Sequence, residues 1–128
     1  MRSRETLLRL HRFRTAEKRR QVADITFMIQ EFTRRFDELD AQVKFEENRT
    51  GVSDPAHFNY SLTAKSARAR RDNLMRSIAD LRDQQSEAEA ALAAEEQDLR
   101  RAEMMAEKEA HGSATVVPAA VAAAPDMR

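Results

Sequence analysis

A chain of 128 residues with 34% charged and 5% aromatic side chains, no tryptophan and no cysteine excludes a broad globular core, a disulfide framework and a thiolate metal site. Its formal net charge is zero, no apolar run approaches the ~20 residues of a membrane-spanning helix, and the basic N-terminus lacks the apolar stretch of a secretory signal. The composition therefore points to a soluble, cytoplasmic protein, and its stock of Ala, Glu, Arg and Leu with two Gly and three Pro points to long helices.

The first predicted element is a helix over about residues 3–50. From Val22 the apolar residues fall at Ile25, Ile29, Phe32, Phe36, Leu39 and Val43, in steps that alternate between 3 and 4. That alternation holds a narrow stripe on one helix face, the seam of a coiled coil, and no strand-like alternation by two is present. Counting backwards gives Lys18, Thr15, His11 and Leu8, so the seam turns polar while Leu7, Leu10 and Phe13 lie beside it. A stutter or fraying near the N-terminus is the expectation there. Phe27 points away from the seam, and Phe13, two heptads earlier with Arg20 between, shares its stripe. An exposed Phe on a slender hairpin is expected to meet a partner; the alternative is that a drifting seam buries Phe13.

Punctuation follows at about residues 51–61, where Gly51 and Pro55 stand in a chain otherwise favourable to helix. Gly51 can take the left-handed conformation that ends a helix. Asp54 can cap a new helix with Pro55 at its first position; Ser61 or Thr63 is the alternative cap, leaving 54–60 as a separate turn. Phe58 and Tyr60 either plug the open end, with Phe45, or present an apolar tip to another protein.

A second helix is predicted over about 62–111. Tyr60, Ala64, Ala67, Arg71, Leu74, Ile78, Leu81, Gln85, Ala88, Leu92, Glu95, Leu99, Ala102 and Ala106 step by 4 and 3 throughout. The fold expected is all-α, an antiparallel two-helix coiled-coil hairpin over 1–111, each helix ~70 Å long. Charge supports that direction. Residues 1–20 carry eight basic and two acidic side chains, net +6, and residues 82–111 carry four basic and nine acidic, net −5. Reversal near residue 56 sets the basic stretch beside the acidic one, whereas a parallel dimer would set like against like. From Gly112 the stripe stops, and 112–128 reads as a disordered, flexible tail.

Catalysis finds no constellation. Glycine-rich phosphate loops are missing, and the three histidines, His11, His57 and His111, are far apart in sequence. A hairpin could bring His11 near His111, yet no third ligand or nucleophile accompanies them. Cofactors, metals and enzymatic activity are not expected. The basic N-terminus could bind nucleic acid, but it lacks interleaved aromatics and has acidic residues to pair with, so no nucleic-acid partner is expected. The second basic cluster, "KSARARRDNLMR" at 65–76, is either a solvated face pairing with Asp37, Glu38, Asp40, Glu46 and Glu47 or a contact surface near the bend. Met104 and Met105 read as packing.

Three stretches together resemble a known family: the opening "SRETLLRLHRFRTAEKRRQVADI", the mid-chain "GVSDPAHFNY" followed by Ala64-Lys65, and "RRDNL" beyond it. They are similar to FliJ, the flagellar type III export proteins, in the form found in alphaproteobacteria, over about residues 1–111. The resemblance implies a cytoplasmic, non-catalytic antiparallel coiled coil like the central stalk of rotary ATPases. Such proteins dock the joined helix ends in the hexameric export ATPase, bind the cytoplasmic domain of the export gate FlhA, and escort export chaperones. Peripheral association with the inner membrane at the flagellar base, without insertion, is implied with it. The implied ATPase-docking residues are Arg9, Arg12, Phe13, Lys18, Arg19, Arg20 and Phe27, where a basic side suits an acidic ring lining. The implied gate-binding residues are Phe58, Tyr60, Ala64, Ala67, Arg68 and Arg71, of which Tyr60, Ala64, Ala67 and Arg71 are also seam positions. The alternative reading is a generic coiled-coil adaptor or chaperone, or the corresponding stalk protein of a virulence secretion system.

Overall fold

The structure, a computed structural model, consists of α1, Arg2–Thr50, and α2, Leu62–Asp126, packed against each other as a helical hairpin. It describes the backbone of residues 2–126 and the side chains of 3–112, and no strand occurs among the described residues. α1 and the start of α2 match the sequence pattern. The backbone of α2 stays helical beyond residue 111, where the sequence reading ends it. The side chains after Gly112, and with them nearly all of the expected tail at 112–128, lie outside the described residues. The chain divides into two compact units, Gln21–Glu89 and Met1–Arg20 with Ala90–Arg128.

The unit of residues 21–89 holds the bend. Its seam is the predicted one: Val22, Ile25, Ile29, Phe32, Phe36, Leu39 and Val43 of α1, and Tyr60, Ala64, Ala67, Arg71, Leu74, Ile78, Leu81, Gln85 and Ala88 on the other side, are all buried or half-buried. Val43, Tyr60, Ala64, Ala67 and Leu81 are its buried members. Each large apolar side chain removed from water contributes about 1.5–3 kcal/mol. The small side chains at 64 and 67 let the two backbones approach closely. Cross-helix hydrogen bonds give the direction: Glu47 meets Tyr60, Asp40 meets Arg71 and Thr26 meets Gln85, so numbers rise along α1 as they fall along α2.

The bend settles the capping alternatives. Gly51 lies at φ +74° and its N–H donates to the Glu47 carbonyl at 2.9 Å, which closes α1. Ser61 caps α2, its Oγ accepting from the Ala64 N–H at 3.2 Å. Asp54 instead caps a local turn: its Oδ1 accepts from the Ala56 N–H at 3.0 Å, and Pro55 stays outside α2. A Cβ added at Gly51 would meet nothing within 4 Å, so strain there comes from the backbone alone. Gly51→Ala is accordingly expected to cost about 1–2 kcal/mol, and Gly51→Asn less, in urea unfolding followed by circular dichroism.

In the unit that joins 1–20 to 90–128, Leu8, His11, Thr15 and Lys18 pack with Leu92, Glu95, Leu99, Ala102 and Ala106, all buried or half-buried. The expected stutter is corrected: the alternating 3 and 4 spacing continues through these polar residues. Thr15 can occupy the seam, 1% exposed, because its hydroxyl donates to the His11 carbonyl of its own helix at 2.8 Å. The seam therefore does not drift towards Phe13, which is 63% exposed, and Leu7 and Leu10 are exposed as well. Basic meets acidic in the antiparallel sense, with Arg4–Glu109 at 2.8 Å, Arg12–Glu103 at 3.9 Å and Arg19–Glu96 at 3.3 Å. These pairs are solvated, so each is worth no more than about 1 kcal/mol; their common sign favours one topology.

Candidate interaction surfaces

Within the unit of 1–20 and 90–128, the heptad positions give the helix pair two unlike flanks. Arg12–Glu103 and Arg19–Glu96 lie on one. On the other a groove of about 450 Å³ is lined by Arg4, Leu7, His11, Asp98, Arg101, Ala102 and Met105. Of the ATPase-docking residues implied by the resemblance, Arg9, Arg12, Phe13, Arg19 and Arg20 are exposed and Lys18 is half-buried. Arg20 pairs within its helix to Glu17 at 2.8 Å. Arg12 and Arg19 thus already face carboxylates of α2 and Arg20 one of its own helix, and a partner must compete with or extend those pairs. Inside the seam, His11 Nδ1 and Glu95 Oε2 stand 3.9 Å apart, and neither atom has a hydrogen-bond partner among the described residues. Among the described residues no group of three His, Asp or Glu side chains could hold a metal ion.

In the unit of 21–89, Phe27 is 60% exposed on α1. The two aromatics of the bend part ways. Tyr60 is buried, and its hydroxyl donates to Glu47 at 2.7 Å. Burial, then the Glu47 carboxylate, raises its phenol above the ordinary range. Phe58 is 94% exposed and stacks on the His57 ring, with centroids 4.8 Å apart. Phe45 is exposed too and plugs nothing. Of the gate-binding residues implied by the resemblance, Tyr60, Ala64 and Ala67 are therefore seam, and only Phe58 is freely presented. Arg68 is half-buried, 3.8 Å from Glu47. Arg71 reaches Asp40 at 2.9 Å and Asp72 at 3.3 Å.

The basic cluster at 65–76 thus divides. Arg68 and Arg71 face acids of α1, while Lys65, Arg70 and Arg76 are exposed, Arg76 donating to Asn73. Arg70 and Gln42 are shared by two adjoining grooves, one reaching Leu62 and the other Leu74. Sequence spacing named the seam position of Arg71 and placed Asp40 among five acids opposite its cluster, without choosing between them. Glu47, another of those acids, was not matched with Tyr60, and the Thr26–Gln85 bond at 3.1 Å was missed. The available signal was distance from the bend: each of these pairs is centred between residues 53 and 58.

Electrostatics around the bend has a definite pH sense. Hydrogen bonds from Lys44 and then Arg71 hold the Asp40 carboxyl below its usual range, and Arg49 and then Ser61 do the same for Glu46. Burial works to lower the Arg71 guanidinium, but its bonds to Asp40 and Asp72 override this and raise it. A carboxylate with a depressed folded value contributes stability that is full above its unfolded value, near 4, and is lost as pH falls through the folded one. Acid unfolding is therefore expected to lose stability below about pH 4, and Asp40→Asn to flatten part of that dependence, measured by chemical denaturation at a series of pH values.

No family model matches the chain, and no curated protein or solved structure shows significant similarity to it. No helix is long and apolar enough to cross a membrane among the described residues.

Proposed function

We propose that the chain is a non-catalytic component of the flagellar type III export apparatus, a FliJ-like stalk that links the hexameric export ATPase to the cytoplasmic domain of FlhA and escorts export chaperones. Its place on this reading is the cytoplasm, peripherally at the inner membrane of the flagellar base. The observation that carries the reading is the antiparallel hairpin whose basic α1 start faces the acidic part of α2, together with the motifs at its opening and bend. Arg9, Arg12, Phe13, Arg19 and Arg20 offer charge and an aromatic ring to the ATPase. Phe58, and the exposed Arg70 beside Leu62 and Leu74, offer a second surface near the bend.

Arg12 and Arg19 also hold α2, so a plain charge reversal would confound docking with pairing. The test is co-purification of the full chain with the export ATPase and the FlhA domain, comparing R12E/R19E/R20E with the swap R12E/R19E/R20E/E96R/E103R. The swap restores the two cross-helix Arg–Glu attractions with the polarity inverted, while the Arg20–Glu17 pair, internal to α1, is lost equally in both variants. Loss of ATPase capture in both variants supports docking through the basic side. Capture retained by the swap removes it. Failure of the unaltered chain to capture either protein removes the flagellar reading and favours an adaptor or a virulence stalk.

A further inference from the structure

We propose that His57 is a proton-controlled switch of the bend that sets how Phe58 is presented. Three of its groups are committed to the bend. Its N–H donates to the Asp54 carbonyl at 3.0 Å, its carbonyl accepts from the Tyr60 N–H at 3.0 Å, and its Nδ1 accepts from the Asn59 N–H at 3.0 Å. The third bond requires a lone pair on Nδ1, which a neutral imidazole with its proton on Nε2 supplies. Phe58, 94% exposed, rests on that imidazole with an interplanar angle of 22°.

A proton on Nδ1 would turn the acceptor into a donor pointing at the Asn59 N–H. That bond cannot survive, and the imidazolium must rotate away or the Asn59 amide must turn to water. The two backbone bonds of His57 do not involve the ring, so the turn stays pinned while the ring moves. Phe58 loses its stacking platform with it. Imidazole is the side chain that makes this change within the physiological pH range.

No side chain of α1 or α2 bonds to the imidazole among the described residues. Asp54, the charged group of the bend, has its Oδ1 engaged by the Ala56 N–H. The acids that end α1 are engaged too, Glu46 by Arg49 and Ser61, Glu47 by Tyr60 and Arg68. The Ser61 cap holds α2 in either state, so the change is confined to the bend. The inference does not depend on which protein Phe58 meets.

The test is a nuclear magnetic resonance titration of the full chain across the range in which histidine titrates. The Asn59 amide and the Phe58 ring are expected to shift with the same midpoint as the His57 ring. Protection of the Asn59 amide, corrected for intrinsic exchange, should fall about fivefold, the worth of one neutral hydrogen bond. His57→Asn supplies the control, because an Asn side chain accepts from the amide two residues on without titrating; both reporters should then be flat. Unchanged Ala64 and Leu81 amides certify that the variant is folded. Flat reporters in the unaltered chain, or the same movement in H57N, overturn the proposal.

Discussion

Leu81→Ala is expected to remove about 2–5 kcal/mol of unfolding free energy, read from urea unfolding followed by circular dichroism. Leu81 is 6% exposed and sits in the unit of residues 21–89. Helix propensity does not account for such a loss, since Ala is at least as good a helix former as Leu. The cost is the buried surface plus the cavity left between two helices that have few other side chains to fill it. Two helices give each seam residue little packing beyond its immediate neighbours, so collapse around the gap is limited. An effect below about 1 kcal/mol would mean that the pair is not closed at this layer.

Enlarging the seam should be as instructive as emptying it. Ala64 is 0% exposed, and Ala64→Leu is expected to cost about 1–3 kcal/mol by forcing the helices apart or the new side chain off its rotamer. Ala69 lies on the exposed side of the same helix, and Ala69→Leu should be nearly neutral. The pair of substitutions also tests a conflict in the site reading. The resemblance assigns Ala64 and Ala67 to gate binding, whereas the closed hairpin buries both. If Ala64→Leu leaves the unfolding curve unchanged but weakens capture of the FlhA domain, Ala64 faces a partner. If it destabilises the chain, Ala64 is seam, and a partner must use Phe58 and the cations beside it.

The seam was legible almost residue by residue. A 3 and 4 alternation is a local property of one helix, and every position it named from Leu8 to Ala106 is buried or half-buried. The misreading at the N-terminus has a physical cause. Leu7, Leu10 and Phe13 are apolar, and apolar residues attract a seam assignment. Yet Thr15 bonds to its own helix carbonyl, and Lys18 is only half-buried, so polar side chains can hold the spacing. Apolar character alone would have shifted the stripe; geometry kept it in place.

By itself the sequence determined two helices, the end of the first at Gly51, a reversal near residue 56 and an antiparallel sense, because periodicity, a residue without a Cβ and opposite charge at the two ends are all readable along one chain. Only the tertiary structure decided which cap starts α2, that Tyr60 is packed while Phe58 is bare, and which carboxylate receives Arg71. Those outcomes depend on how side chains meet across the pair. A shift of one residue in register would give every long polar side chain a different neighbour while leaving each helix's own pattern intact.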